Sequence, residues 1–415
     1  MLFLISILVW LVIFSTTYNI GVAIYLPLFI SIFGLAHINT LFLTNTKIYV
    51  ALISVTLGCF LISLLINSAE QSTVLVMFRY VLKAMIIPLF SIALLIRLYN
   101  KSNIDELGLS KVVIWVILFQ FTFVILQLTI PSFRMWFVSF IELAPNWLFL
   151  VEMGHFRATG LAGISIYDTS VAYALLAPLY KPSIDSNKFS ERVLGFLSLL
   201  CLIILCMIAG RFGLMLLAPM LIYLYWTSNH KIFFVNFFVG LIFVSFFAAI
   251  IVIGWDALYD SFRFIFEPFF ALYETGEFRS ASTDQLANEY LFFPDAVNPI
   301  IGDGFWAQPS LSIQSGYAYA TDSGFLLLYI FLGPIGLLIA FAWCAFYSSV
   351  INDIIRGHVG VGFQILLNMV LFLSFTLLMI KAPFFFSEKI SHTLCFLLSV
   401  VIYLKSERNT KCCPL

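Results

Sequence analysis

One arginine, Arg211, stands inside an apolar stretch that reads CMIAGRFGLMLLAP from residue 206. The preceding Ala209 and Gly210 favour a turn, so Arg211 is predicted to begin a new helix. The N-terminus of a helix has a partial positive charge, which disfavours a cation and favours an anion. A cation beside free backbone N–H groups is explained if both face a bound anion. The alternative is an interfacial arginine whose side chain extends to lipid headgroups.

Two other cations, Arg79 and Lys83, lie four residues apart in an apolar run, on one face of a predicted helix. We expect them roughly 9 Å and roughly 15 Å below the outer end of that helix. A cation near the centre of a spanning helix costs about 2.5–3.5 kcal/mol, so it normally faces a cavity or an acid. The spacing indicates either an anion-binding cavity or ion pairs with acids such as Glu70 and Glu142.

Two further arginines could contribute to an anion site. Arg157 in HFRATGLAG precedes an apolar run, and Arg279 in GEFRSAS lies in a long polar segment, where an exposed loop residue is the alternative. Guanidinium groups suit phosphate oxygens because their planar donors match these oxygens in pairs. Lys381 and Lys389 either add to such a site or only flank their helices. The cations predicted to converge on one membrane-embedded phosphate or diphosphate are Arg79, Lys83, Arg157, Arg211 and Arg279.

The composition indicates that lipid surrounds the chain. Of its 415 residues, 62% are hydrophobic and only 10% are charged, whereas soluble domains have roughly 25% charged residues. The formal net charge is zero, which gives no sign of nucleic-acid binding. The seven cysteines show no metal-ligand or disulfide spacing.

About twelve apolar runs approach the roughly 20 residues that a bilayer crossing needs. The sequence therefore predicts an all-α polytopic membrane protein with one membrane domain over residues 1–415. The predicted spans are 2–17, 20–43, 48–66, 73–97, 111–130, 164–180, 192–209, 211–227, 231–254, 322–348, 361–380 and 389–404.

The basic residues set the predicted orientation. If both termini are cytoplasmic, most Lys and Arg residues fall in short cytoplasmic segments, as the positive-inside rule expects. Two long segments, 131–163 and 255–321, then lie outside. Aromatic side chains in these segments are suited to stacking on sugar rings, namely Trp147, Trp255, Trp306, Tyr290, Tyr317 and Tyr319.

Three stretches resemble the O-antigen polymerase and ligase group of bacterial inner-membrane glycosyltransferases. They are RATGLAGISIYDTSVAYALLAP at 157–178, AGRFGLMLLAP at 209–219, and GDGFW with TDSGFLLLYIFLGPIGLLIAF between 302 and 341. The number of spans and the two long periplasmic segments match the group as well. The resemblance implies a GT-C-like fold with no cofactor and no metal.

The resemblance also implies a reaction. The enzyme would transfer a growing chain from undecaprenyl diphosphate to a new lipid-linked repeat unit, beside a flippase and a chain-length regulator of the same pathway. Arg157, Arg211 and Arg279 would bind the diphosphate and stabilise the charge that develops on it. Asp322 would be the general base, with Asp168 as its rival. The alternative for Asp322, which stands in Thr-Asp-Ser, is a capping role at a helix N-terminus.

The chain departs from the group at two points. Ligases carry a histidine where this chain has Asp322, which favours a polymerase over a ligase. The Arg-x10-Gly spacing of some polymerases is absent, because Asp168 and Tyr290 stand at those positions. A flippase or transporter is the alternative from another class, but such proteins tend to show internal repeats and midplane charges.

Overall fold

The computed structural model describes most of the chain, and its elements are those of an all-α membrane protein. Apolar runs become helices because lipid offers the backbone no hydrogen-bond partner, so each segment must satisfy its own N–H and C=O groups. The structure describes all residues except 20–22, 38–43, 68–70, 142–159, 163–165, 211, 241–266, 278–283, 285–287, 289–290, 293, 296, 357 and 413–415.

The helices in chain order are α1 Leu2–Phe14, α2 Leu26–Leu35, α3 Thr44–Ile66, α4 Gln71–Val81, α5 Ile87–Ser102, α6 Glu106–Thr129, α7 Pro131–Val138, α8 Ile166–Leu176, α9 Lys181–Ile184, α10 Phe189–Ala209, α11 Phe212–Thr227, α12 Lys231–Gly240, α13 Glu267–Thr275, α14 Pro309–Ser315, α15 Gly324–Leu332, α16 Pro334–Ile355, α17 Val361–Lys381 and α18 Glu388–Cys412. A π-helical turn, Leu82–Ile86, joins α4 to α5. Strands β1 Thr17–Asn19 and β2 Ala23–Tyr25 pair in antiparallel fashion.

Seven helices among the described residues are long and apolar enough to cross a membrane, and four shorter apolar helices accompany them. The predicted break after Ala209 is confirmed, since α10 ends at Ala209 and α11 begins at Phe212. The predicted total of twelve spans stays a prediction.

Two predicted spans differ from the structure. The run 20–43 does not begin as a helix, because the β1–β2 hairpin precedes α2. The run 322–348 is divided into α15 and α16 at Gly333, whose φ of +63° lies outside the helical region. A Cβ on Gly336 would lie 2.2 Å from the Leu328 carbonyl oxygen, so the two helices fold against each other.

Helix α18 forms the core of the bundle. Within its apolar stretch 83% of the residues are buried, against 28% for α3, so α18 is central and α3 exposes most of its surface. Helix α18 packs against α1, α5, α8 and α16. This core helix begins with two charged residues, Glu388, which is 24% exposed, and Lys389, which is buried.

Ion pairs join helices at the end of the bundle where α6 and α10 begin. Lys111 Nζ lies 2.9 Å from Glu191 Oε1, and Lys405 Nζ lies 2.8 Å from Asp353 Oδ2. These lysines are among the residues predicted to be cytoplasmic.

Gly213, in the stretch that carries Arg211, brings α11 directly onto α8. Its N–H donates to Ser170 Oγ at 3.2 Å. A Cβ at Gly213 would lie 2.3 Å from the Ser170 carbonyl oxygen, which is backbone and cannot move aside alone. The glycine therefore sets the distance between α11 and α8.

Gly213→Ala is expected to destabilise the protein by about 1–3 kcal/mol, because the added methyl forces the two backbones apart. Thermal unfolding of the purified protein in detergent measures this as a lower melting temperature. Gly58→Ala in α3 is the matched control, since nothing lies within 4 Å of its Cβ position. A melting temperature unchanged by Gly213→Ala would contradict the close packing.

Candidate functional site

A cavity of about 620 Å³ opens at one end of the bundle. It is bordered by residues that follow α1, by the first turn of α8 and by the connection between α17 and α18. The charged side chains that line it are Arg79, Lys83, Asp168, Asp322, Lys381, Glu388 and Lys389.

Helix ends bring several of these charges together. Asp168 lies in the first turn of α8, Lys381 is the last residue of α17, and Glu388 is the first residue of α18. Glu106, at the start of α6, lines a second and smaller pocket together with Lys405. Helix α6 therefore starts at the second pocket, whereas α8 starts at the cavity. The long connection that leads from the end of α6 to the start of α8 thus joins the bundle at the cavity end.

The structure brings four of the predicted site residues into one cavity wall, namely Arg79, Lys83, Asp168 and Asp322. It also places Lys381 and Lys389 in this wall. The predicted residues that lie outside the described part of the chain are Arg157, Arg211, Arg279, Trp147, Trp255 and Tyr290.

An ion-pair network centred on Glu388 forms one side of the cavity. Glu388 Oε1 lies 3.0 Å from Lys83 Nζ, and Glu388 Oε2 lies 3.8 Å from Lys389 Nζ. Lys83 also donates to Thr17 Oγ1 at 2.7 Å, and Lys389 donates to the Ser15 carbonyl. Only 14% of the Lys83 side chain and 2% of the Lys389 side chain are exposed, so both ammonium groups depend on these partners.

The acid that pairs with Lys83 is therefore Glu388. The two acids expected from the sequence, Glu70 and Glu142, lie outside the described residues. The signal that could have found the pair is Glu388-Lys389 at the very start of an apolar run, followed by His392 on the same helix. Charges at that position indicate a polar network at the end of a buried helix.

Tyr25 and His392 extend this network into the bundle. Lys83 Nζ lies 4.7 Å from the centre of the Tyr25 ring, where the ring face attracts a cation. The Tyr25 hydroxyl lies 3.0 Å from His392 Nε2, which is also 3.2 Å from the Lys83 carbonyl oxygen. The β1–β2 hairpin thus holds Lys83 from two sides, through Thr17 and Tyr25.

Asp322 lines the cavity and does not cap α15. The N-cap residue of α15 is Ser323, and it makes no side-chain capping bond, so the capping interpretation of Asp322 is wrong. Asp322 makes no hydrogen bond or ion pair with any residue that the structure describes. Burial raises the pKa of Asp322 above its ordinary value, and the positive charge of Lys381 acts in the opposite direction.

Two of the aromatic residues expected to stack on sugars, Trp306 and Tyr317, pack against other rings of the protein. Trp306 borders the cavity but is only 1% exposed, with its ring 5.3 Å from that of Phe386, so it offers no open face to a sugar. The Tyr317 ring stacks on Phe305 at 4.2 Å, and its hydroxyl donates to Asp303 at 2.5 Å. The expectation of sugar stacking on Trp306 is therefore wrong.

The wall combines cations with two carboxylates, Asp168 and Asp322, that can accept protons. Cations of this kind bind oxyanions, and a half-buried carboxylate beside them can serve as a general base. No protein-family model, curated protein or solved structure matches this chain. The cavity and its charges are therefore the basis for a functional conclusion.

Proposed function

We propose that this protein is a membrane glycosyltransferase that polymerises saccharide repeat units carried on undecaprenyl diphosphate. The O-antigen of lipopolysaccharide, or a related surface polysaccharide, is the product. The reaction takes place at the periplasmic face of the bacterial inner membrane, with both termini in the cytoplasm. About twelve spans and a GT-C-like fold belong to this proposal.

The observation that carries the proposal is the cavity lined by Arg79, Lys83, Asp168 and Asp322. A cavity at the end of a helix bundle can receive a lipid diphosphate from the bilayer and a sugar chain from the aqueous side. Its cations can bind the oxygens of a diphosphate, and its carboxylates can accept the proton of a sugar hydroxyl. A proton acceptor beside the anion-binding groups favours catalysis over transport alone.

The proposed step is a displacement at the anomeric carbon of the growing chain. A hydroxyl of the new repeat unit attacks this carbon, and Asp322, or Asp168 as its rival, accepts the hydroxyl proton. The bond between the carbon and the diphosphate oxygen breaks, and undecaprenyl diphosphate leaves with the electron pair. Arg157, Arg211 and Arg279 are predicted to stabilise the charge on the leaving diphosphate, together with Arg79 of the cavity wall.

Complementation tests the proposal in a host that lacks the gene. Arg157→Ala, Arg211→Ala and Arg279→Ala are each expected to leave single repeat units on lipid A-core in place of a polysaccharide ladder, because only polymerisation is lost. Arg97→Ala is the matched control, since Arg97 is exposed near the far end of α5. Lipopolysaccharide gels read the ladder, and immunoblots of membranes check protein levels.

Two other outcomes would contradict the proposal, and a third would contradict only its assignment of the three arginines. Loss of all surface O-antigen with lipid-linked polymer left in the periplasm would identify a ligase, which transfers polymer to lipid A-core. Lipid-linked single units retained in the inner leaflet would identify a flippase. A full ladder from all three variants would remove these arginines from the proposed site.

A further inference from the structure

The four cations of the cavity wall fall into two groups. Lys83 and Lys389 are bound to the protein through Glu388, Thr17 and the Ser15 carbonyl. The other two cations, Arg79 and Lys381, make no hydrogen bond and no ion pair with any residue that the structure describes. Two cations in one cavity therefore have their donors available.

Arg79 lies in a part of the protein where an unpaired charge is energetically costly. It lies in a membrane-spanning helix, next to Phe78 and one turn after Leu75. Leu75 and Phe78 are 68% and 63% exposed, as expected of a surface that faces lipid. A guanidinium at this depth is costly unless it faces a polar cavity or a partner. Arg79 is itself exposed, and its side chain lines the cavity.

Lys381 enters the same cavity from a different helix. It is the half-buried last residue of α17, and Ala382 and Pro383 continue the cavity wall after it. It acts electrostatically on Asp322, which also lines the cavity, but the two form no ion pair. A lysine at a helix C-terminus also interacts favourably with the helix dipole, so a purely structural role must be separated by experiment.

We propose that Arg79 and Lys381 form an oxyanion-binding site in the cavity, and that the diphosphate of a polyprenyl-linked sugar occupies it. Lys83 and Lys389 hold Glu388 and are not available to this ligand. The identity of the anion rests on the proposed function, whereas the site itself rests on the two cations that have no described partner. Asp322, in the same wall, supplies the carboxylate next to the bound phosphate group.

Binding of farnesyl diphosphate to the protein in lipid nanodiscs tests the site, with farnesol as the probe that lacks only the phosphates. Lys381→Gln and Arg79→Gln are each expected to raise Kd about tenfold or more, since a charge-assisted hydrogen bond is lost. Lys381→Arg keeps the charge and is expected to stay within about threefold of the natural protein. Lys101→Gln is the matched control. Lys101 is also in the last turn of a spanning helix, but that turn lies at the end of the bundle opposite the cavity.

Each outcome decides for or against the site. An unchanged Kd in Lys381→Gln, or weaker binding only together with a lower melting temperature, would overturn it in favour of a dipole or packing role. Binding of glucuronate in place of farnesyl diphosphate, lost in Lys381→Gln, would overturn the lipid phosphate as the source and assign the site to an acidic sugar. If Lys381→Gln loses farnesyl diphosphate binding but cells keep a normal polysaccharide ladder, the proposed polymerase fails and the oxyanion site stands.

Discussion

Asp322→Asn is expected to reduce glycosyl transfer by about 10²–10⁴-fold, the range lost when a general base is removed. Asparagine has the same shape but cannot accept the proton of the attacking hydroxyl. The fold should be unaffected, because the Asp322 carboxylate makes no hydrogen bond with the described residues and does not cap α15. Transfer between purified lipid-linked repeat units, with the protein in nanodiscs, measures the rate.

The pH dependence of transfer is a second test of Asp322 as the general base. Burial raises the pKa of Asp322, so the acidic limb of the pH–rate profile is expected above the ordinary range of aspartate. The base must be ionised, and the rate therefore falls as the pH decreases through this raised pKa. Lys381→Gln removes a positive charge that lowers the pKa of Asp322, so the limb should move to higher pH.

Asp168→Asn is the comparison that assigns the base. Asp168 lies in the same wall, in the first turn of α8. If Asp168→Asn abolishes transfer and Asp322→Asn keeps most of it, the base is Asp168. An acidic limb that is unmoved in Lys381→Gln would also argue against Asp322.

The helices could largely be predicted from the sequence because lipid makes the rule simple. A long apolar run that faces lipid favours a helix, and the run 192–227 is too long for one crossing, which placed the break near Gly210. The break at Gly333 was not predicted, because a glycine within an apolar run is also typical of close helix packing. Only its positive φ and the backbone packed around it show that the helix ends there.

The β1–β2 hairpin could not be predicted from the sequence either. The apolar stretch that begins at residue 20, IGVAIYLPLFISIFG, has the composition of a spanning helix. Tertiary contacts hold the hairpin, since the Asn19 N–H donates to the Phe140 carbonyl at 2.7 Å and the Tyr18 hydroxyl donates to the Leu161 carbonyl at 3.1 Å. Both partners are distant in sequence, so no local pattern indicates them.

The cavity was partly predictable for an energetic reason. Cations in apolar runs are costly, so Arg79 and Lys83 had to face either an anion or an acid, and the sequence could not decide between these. The two residues differ in the structure, since Lys83 pairs with Glu388 and Arg79 has no described partner. Arg79 and Lys83 are one helical turn apart but differ in their ion pairing. Their spacing in the sequence could not show this difference.

Glu388→Gln is expected to lower the free energy of unfolding by about 3–5 kcal/mol, the cost of breaking a buried ion pair by removing one partner. Lys83 and Lys389 would both lose the ion pair with Glu388 while remaining largely buried. Unfolding by SDS in mixed micelles measures the change. Asp353→Asn is the matched control, because its partner Lys405 is 45% exposed and such pairs contribute about 0–1 kcal/mol.

A double substitution separates the ion pair from simple packing. Lys83→Met alone leaves Glu388 with Lys389, and Lys83→Met with Glu388→Gln removes two opposite charges together. If the pair is what stabilises the fold, the double variant should be less destabilised than the sum of the two single variants. Additive losses would mean that each side chain contributes through its own packing. In either case a reduced ladder in Glu388→Gln cells should follow the membrane level of the protein, because Glu388 holds Lys83 and Lys389 and does not take part in the chemistry.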